Sequence, residues 1–314
     1  MEEQNLIAKI AHMYYMEGID LKTIGEIFNI SYATVSRLLK KGRGKGIIKI
    51  IINNPHRNTI KQESKLKQYF KLREVFAVPS EENFVYPLIL DLIGREAANY
   101  LVSVLRDGDF LGISWGRTVY NVVNNFQKEK KIKVHVVQLF GQTSNVPVEL
   151  SSFDLVRRMK NMFLGSYYFI NSEAVLEKHE TKKYLLDDPS IKNTFDAHKC
   201  INIAVSSVGI CDLESSGFVH RRYLRNEEIE EIKREKIIGE TNFTFFDAEG
   251  NIKKIRFNDR MMAIETNDLL KIKNKIIVAG GLEKAEAVLG ALKAGLVNTL
   301  FTDSITLSKL ISML

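Results

Sequence analysis

Apolar residues recur at helical spacing from the start of the chain. Leu6, Ile7, Ile10, Ala11, Tyr14 and Tyr15 share one face and predict an amphipathic helix ending near Gly18. Leu21, Ile24, Ile27 and Phe28 predict a second, short helix, and Val35, Leu38 and Leu39 a third. Between the last two lies Asn29-Ile30-Ser31. Asparagine tolerates the left-handed conformation that ends a helix, and the Ser31 hydroxyl can accept from the free amides that begin the next. Two short helices around a tight turn, completed by the first helix, have the grammar of a helix-turn-helix unit.

The polar positions of the third helix carry chemistry. Ser31, Tyr32, Ala33, Thr34, Ser36 and Arg37 fall away from its apolar stripe, a mixture suited to thymine methyls, phosphates and guanine edges. Arg37, Lys40, Lys41, Arg43, Lys45 and Lys49 then follow one another with no acid between them. Such a run repels itself unless an anion neutralises it, which points to a nucleic-acid backbone. Gly42, Gly44 and Gly46 break the helix, and the β-branched run Ile47 to Ile52 predicts a small hairpin wing that follows the phosphates. The alternative is a surface helical hairpin with a solvated charged face.

Beyond Asn53-Asn54-Pro55, a polar amphipathic segment from Thr59 to Phe70 predicts a connecting helix. From Val75 the rhythm becomes regular. Apolar, β-branched runs (Val134 to Leu139, Ile201 to Val208, Ile276 to Ala279, Thr299 to Phe301) alternate with helical stretches (Leu88 to Leu105, Thr118 to Phe126, Phe153 to Phe163, Lys284 to Leu292). Strands apolar on both faces, alternating with helices, predict a parallel sheet covered on both sides. The fold class is therefore α/β, with a helix-turn-helix domain over 1–53, a connecting segment over 54–72 and a large effector domain over 73–314.

Composition narrows this picture in three ways. With 314 residues, 45% hydrophobic and 26% charged, the chain is an ordinary globular one, and its net charge of +7 is concentrated around residues 37 to 49. No apolar run reaches the roughly 20 residues that span a bilayer. The acidic, polar start Met-Glu-Glu-Gln-Asn argues against a secretory signal, so no membrane partner and a cytoplasmic protein are expected. Two cysteines make no disulfide framework; Cys200 and Cys211 flank an apolar strand, and Cys200 is expected in the core. With His198 and His220 they match no common zinc spacing, so neither metal nor cofactor is expected.

Open α/β sheets bind ligands beyond the carboxyl ends of their strands. Phe110 to Thr118 is an apolar strand running into Ser114-Trp115-Gly116-Arg117-Thr118 and a helix, where amides, two hydroxyls and a guanidinium can cradle a phosphate. Ile276 to Lys284 is a second strand feeding a helix, with Gly280 and Gly281 for close approach and Lys284 in the first turn. A lysine there opposes the helix dipole unless it serves an anion. A third loop offers Gln142, Thr143 and Ser144 to ligand hydroxyls. A fourth offers Asp247, although Asp247-Ala248-Glu249-Gly250 also reads as a plain hairpin turn. Gly112-Ile113-Ser114-Trp115-Gly116 matches a hydrolase elbow in letters, but Arg117 and Thr118 beside it suit anion binding better.

Taken together, Ala11 to Gly18, Ile30 to Lys40, Gly112 to Thr118, Leu185 to Ile191 and Val278 to Gly281 with Lys284, in this order, resemble the SorC family of bacterial transcriptional regulators. The resemblance runs over nearly the whole chain. It implies a helix-turn-helix joined to a Rossmann-like domain similar to sugar-phosphate isomerases, which senses a sugar or sugar phosphate without converting it. It also implies that Ser114 to Thr118 is the phosphate cradle and that Lys284 meets an effector phosphate. The chain departs from the family at Phe140-Gly141-Gln142 and at Val208-Gly209-Ile210-Cys211, where relatives are richer in glycine, and at Asn29, where they carry Gly. Bulky Phe140 is expected to narrow or reshape the pocket. The resulting expectation is a homodimeric or homotetrameric regulator, a repressor of a carbohydrate operon, partnered by operator DNA and a sugar or sugar-phosphate effector. The alternative is a sugar-phosphate isomerase or deaminase with a DNA-binding head, which would need a general base that neither the Ser114 to Thr118 nor the Gly141 to Asn145 loop contains.

Overall fold

The computed structural model describes residues 2–45, 47–48, 57–81, 84–126, 131–143, 146–211 and 223–314. They form two compact units, Met1–Pro55 and His56–Leu314.

Among the described residues the first unit holds three helices, α1 (Glu2–Tyr15), α2 (Leu21–Ile27) and α3 (Tyr32–Gly44). Ile10, Ile24, Val35 and Leu39 make its core, and Ile7 is fully buried as well. Both α2 and α3 are capped by side chains. Asp20 accepts from the amides of Lys22 (2.9 Å) and Thr23 (3.1 Å), and Ser31 Oγ from that of Thr34 (3.1 Å). Each such cap contributes about 1 kcal/mol. Asn29 has φ 53°, the left-handed turn expected of it. The apolar stripe is narrower than its sequence pattern: Tyr14, Tyr15 and Ile27 stand exposed. Of the expected wing only Ile47 and Ile48 are described, and Ile48 packs on this core; the rest lies outside the described residues.

The second unit is mixed α/β. Seven parallel strands take the order β1-β11-β10-β5-β2-β3-β4, where β1 is Glu74–Val78, β2 Phe110–Ile113, β3 His135–Gln138, β4 Tyr167–Tyr168, β5 Ile203–Ser206, β10 Asn274–Val278 and β11 Thr299–Asp303. Alternate residues of one strand serve opposite cores. Ile276 and Val278 pack with the side that includes α5 (Tyr86–Val104), α6 (Gly116–Asn125) and α7 (Ser152–Lys160), while Ile277 faces α13 (Ala285–Lys293) and α14 (Ser304–Ser312). Burial on both faces explains why these strands read as unbroken apolar runs. A smaller antiparallel sheet, β6 (Gly209–Ile210), β7 (Ile237–Thr241), β8 (Thr244–Asp247) and β9 (Ile252–Lys253), joins the second core.

Helix α4 (Arg57–Phe70), expected as a connector, packs within this unit. Leu66 is fully buried, Glu63 Oε1 accepts from the Ala77 amide at 2.7 Å, and Ser308 Oγ donates to Gln62 Oε1 at 3.2 Å. Cys200 departs from the expectation: two residues past the helix Pro189–His198, it is exposed, while Cys211 is buried. Among the described residues no helix is long and apolar enough to cross a membrane.

Candidate functional site

In the first unit, α3 presents Ser31, Tyr32, Ala33, Ser36, Arg37, Lys40, Lys41, Arg43 and Lys45 to solvent, with Thr34 half-buried. Thr34 is partly committed to the cap, since its hydroxyl lies 2.9 Å from Ser31 Oγ. The run of like charges is less bare than it reads. Glu3 of α1 pairs with Lys41 (2.5 Å) and Lys45 (3.4 Å), and these two lysines hold its carboxyl below the ordinary value. Among the described residues Arg37, Lys40 and Arg43 have no acidic partner, so they form the cationic face.

In the second unit the strand order reverses between β2 and β5, because the chain runs outward through β2, β3 and β4 and returns to the other side of β2. Ligands of open α/β sheets bind outside the carboxyl ends at such a point. The Ser114 amide donates to the Val205 carbonyl at 3.1 Å, so the first loop starts at this crevice. Gly116, φ 91°, takes the chain into α6 through a conformation that side chains rarely adopt. Trp115 is the N-cap residue of α6, Thr118 is buried in its first turn, and Arg117 lies over the Tyr86 ring, 5.6 Å from its centre.

The β10 exit converges on the same place. Lys284 ends a one-turn 3-10 helix just before α13, and its Nζ donates to the Val208 carbonyl at 3.0 Å. Burial lowers its pKa; Glu283 and Glu240 oppose that shift and Arg117 adds to it. Burial likewise raises the pKa of Tyr86, with Glu283 and Asp303 adding to the rise and Arg117 opposing it. Thus Tyr86, Arg117, Glu240, Glu283, Lys284 and Asp303 share one electrostatic neighbourhood. Arg117 is exposed and Lys284 half-buried, and two cations beside a helix N-terminus are groups of the kind that bind an anion.

Several expected members have other duties. A side chain at Gly280 would meet Ile93 at 2.4 Å and Asp303 at 2.9 Å, so this glycine admits α5 and a carboxylate. The Gly281 amide donates to Asp303 Oδ2 at 2.9 Å. Gln142 is exposed and its main chain is bonded to Ser172 (2.8 Å) and Ala174 (2.6 Å). Thr143 is buried with Oγ1 unpartnered. Ser144 lies outside the described residues. Asp247 has local partners. Its carboxylate accepts from the amides of Glu249 (3.1 Å) and Asn251 (2.8 Å), from Asn251 Nδ2 (2.9 Å) and pairs with Lys253 (3.2 Å). It closes the β8–β9 turn, at the far end of β8 from the crevice, as the hairpin alternative had it.

Phe140 is fully buried, edge-on to Trp115 (5.9 Å) and to Phe243 (5.2 Å). Sequence reasoning missed Glu240, Asn242, Ser206 and Ser207, which meet only when the β7–β8 hairpin folds against the β5 exit. No local motif marks them. Of the residues weighed for metal, His198 is buried, Cys200 exposed and Cys211 buried, while His220 lies outside the described residues. Among the described residues no cluster of three metal-binding side chains occurs.

A family model described as "Putative sugar-binding domain" matches residues 54–312. The deoxyribonucleoside regulator of Bacillus subtilis (strain 168) is 31% identical over 311 residues, covering 99% of this chain and 98% of the relative. The sorbitol operon regulator of Klebsiella pneumoniae is 26% identical over 308 residues, 96% of each chain. The crystal structure of full-length SorC from that organism superposes with a TM-score of 0.77 at 26% identity, covering 98% of both chains.

Proposed function

This chain belongs to the sugar-binding-domain family of transcriptional regulators that includes SorC, and on that premise we propose that it binds operator DNA through its first unit and is switched by a phosphorylated sugar at the strand ends of its second. The observation that carries the effector reading is that two separate loops bring a cation to the reversal of strand order: the loop of Arg117 starts against Val205 at the end of β5, and Lys284 Nζ bonds the Val208 carbonyl just beyond it. The names of the relatives support the sugar.

The first unit acts as a helix-turn-helix whose α3 enters the major groove, with Tyr32 to Arg37 at the bases and Lys40 and Arg43 on phosphates. The second unit has a Rossmann-like sheet similar to that of sugar-phosphate isomerases, and works as a sensor. A homodimer or homotetramer reads half-sites related by two-fold symmetry. The effector changes operator affinity only by binding one arrangement of subunits better than another, so the coupling runs through oligomer geometry.

The test is anisotropy of a labelled DNA fragment selected from random sequence by the full-length protein. Selected fragments should carry two-fold related half-sites, and a sugar phosphate that binds the protein should change the affinity at least tenfold. Selection without enrichment, or an affinity indifferent to every bound sugar phosphate, contradicts the reading. Glu240 favours a second reading, because a carboxylate near Lys284 could serve an isomerase as its base. Product formed from sugar phosphates by the purified protein, and lost in Glu240→Gln, would establish that alternative.

A further inference from the structure

Three consecutive residues at the exit of β5 each hold a side chain from elsewhere. Ser206 Oγ accepts from Asn242 Nδ2 at 2.7 Å, the Ser207 carbonyl accepts from Thr241 Oγ1 at 3.0 Å, and the Val208 carbonyl accepts from Lys284 Nζ at 3.0 Å. The β7–β8 turn and the cationic loop therefore flank Ser207 on its two sides. At this hub two oxygens have no partner, Ser207 Oγ and Asn242 Oδ1, and Asn242 is only 6% exposed. Buried polar atoms are nearly always paired, and leaving one bare is unfavourable.

Asn242 and Phe243 form the two-residue turn between β7 and β8, which requires positive φ at both positions; Asn suits it and Phe does not. Asn242 and Phe243 have φ 50° and 62°, and a bulky residue such as Phe seldom adopts that region. The turn is fixed from both sides: Glu240 Oε2 accepts from the Phe243 amide at 2.8 Å, and Asn258 Nδ2 donates to the Phe243 carbonyl at 2.8 Å.

We propose that Asn242 and Ser207 form a hydroxyl-recognition subsite for a polyhydroxylated ligand whose anionic end lies at Arg117 and Lys284. This rests on the effector reading of the strand-end site. An amide oxygen only accepts, whereas a serine hydroxyl can donate. One ligand hydroxyl that donates to Asn242 Oδ1 and accepts from Ser207 Oγ satisfies both. A carbonyl oxygen cannot donate to Asn242, and a deoxy carbon leaves both atoms bare. The subsite thus discriminates among sugar phosphates by the presence of a hydroxyl at one carbon, separately from the phosphate.

Trp115 is the only tryptophan of the chain and lies in the cradle loop, so its fluorescence reports titrations of the full-length protein. The probes are inorganic phosphate, a set of pentose and hexose phosphates, and monodeoxy analogues of whichever binds best. Ser207→Ala removes a hydroxyl oxygen that makes no hydrogen bond within the protein, so Tm should hold or rise while affinity for the best sugar phosphate falls tenfold or more. Asn242→Gly keeps the left-handed turn available and should weaken the same ligand. Inorganic phosphate should bind both variants as it binds the parent, and one deoxy analogue should bind parent and Ser207→Ala alike. Parent-like affinity of both variants for the best sugar phosphate would overturn the subsite while Lys284→Ala still tests the cradle. A lowered Tm with phosphate binding lost in Ser207→Ala would make the hub structural and also overturn it. No response of the parent to any sugar phosphate would defeat the effector reading and the subsite with it.

Discussion

The carboxylate of Asp303 accepts a hydrogen bond from the amide of Gly281 at 2.9 Å, which ties the end of β11 to the loop that carries Lys284. The same carboxylate caps α14 through the amides of Ile305 (3.1 Å) and Thr306 (2.9 Å) and accepts from Thr306 Oγ1 (2.6 Å) and Ser80 Oγ (3.1 Å). Asp303→Ala removes a cap and leaves buried donors unpaired. A loss of about 2–4 kcal/mol in denaturant unfolding is expected; a change under about 0.5 kcal/mol would show that the loop is fixed by other contacts.

Arg260 and Glu228 are both buried and bonded in parallel, Nε to Oε1 and Nη2 to Oε2, each at 2.8 Å, and Arg260 Nη1 also donates to the Leu176 carbonyl at 2.9 Å. Burial raises the Glu228 pKa, but the bonds from Arg260 and the Arg225 amide outweigh it and hold the carboxyl below its ordinary 4.5. Glu228→Ala strands the guanidinium and should cost about 3–5 kcal/mol. Unfolding of the variant at parental denaturant concentration would count against this.

Stability should fall as acid is added before the carboxylates titrate. His198 is 2% exposed, its Nε2 bonded to the Gln138 carbonyl at 2.8 Å, and burial pushes its pKa from 6.5 to about 4. The unfolded chain takes up this proton more readily than the folded one. The stabilising contribution, of the order of 3 kcal/mol, is complete above the unfolded value and lost as pH falls from 6.5 towards 4. His198→Gln should flatten the stability profile in that window, whereas an unchanged slope would assign it to other groups.

On α3, Arg37→Ala should weaken selected DNA by about 1–3 kcal/mol and relax its sequence preference, if Arg37 reads a base. Lys40→Ala should lower the slope of log affinity against log salt by about one while leaving preference unchanged. Lys41→Ala should do less, because Glu3 already pairs with that lysine. Equal losses at all three positions would indicate a contact with phosphates only.

Periodicity and cap chemistry made the elements legible. Ile24, Val35 and Leu39 are buried where their spacing puts them, Asn29 turns left-handed, and Ile276 to Val278 is a strand packed on two faces. Long-range convergence was not legible. Glu3 meets Lys41 only after α1 packs against α3, and Asn242 meets Ser206 across 36 residues of chain. Asp247 reads both ways in the sequence because an aspartate in such a segment suits a ligand and a turn equally, and only its bonds to Glu249, Asn251 and Lys253 place it in the turn. Cys200 misled because its place beside an apolar strand says nothing of the loop that carries it to the surface.

The most direct measurement is calorimetric titration of the full-length protein and of Lys284→Ala with phosphorylated sugars and the corresponding free sugars. The parent should bind one phosphorylated sugar in preference to its free form, and Lys284→Ala should lose that affinity tenfold or more while still binding the selected DNA. Equal affinity for phosphorylated and free sugars, or unaltered binding by Lys284→Ala, would contradict an effector site built on Lys284 and Arg117.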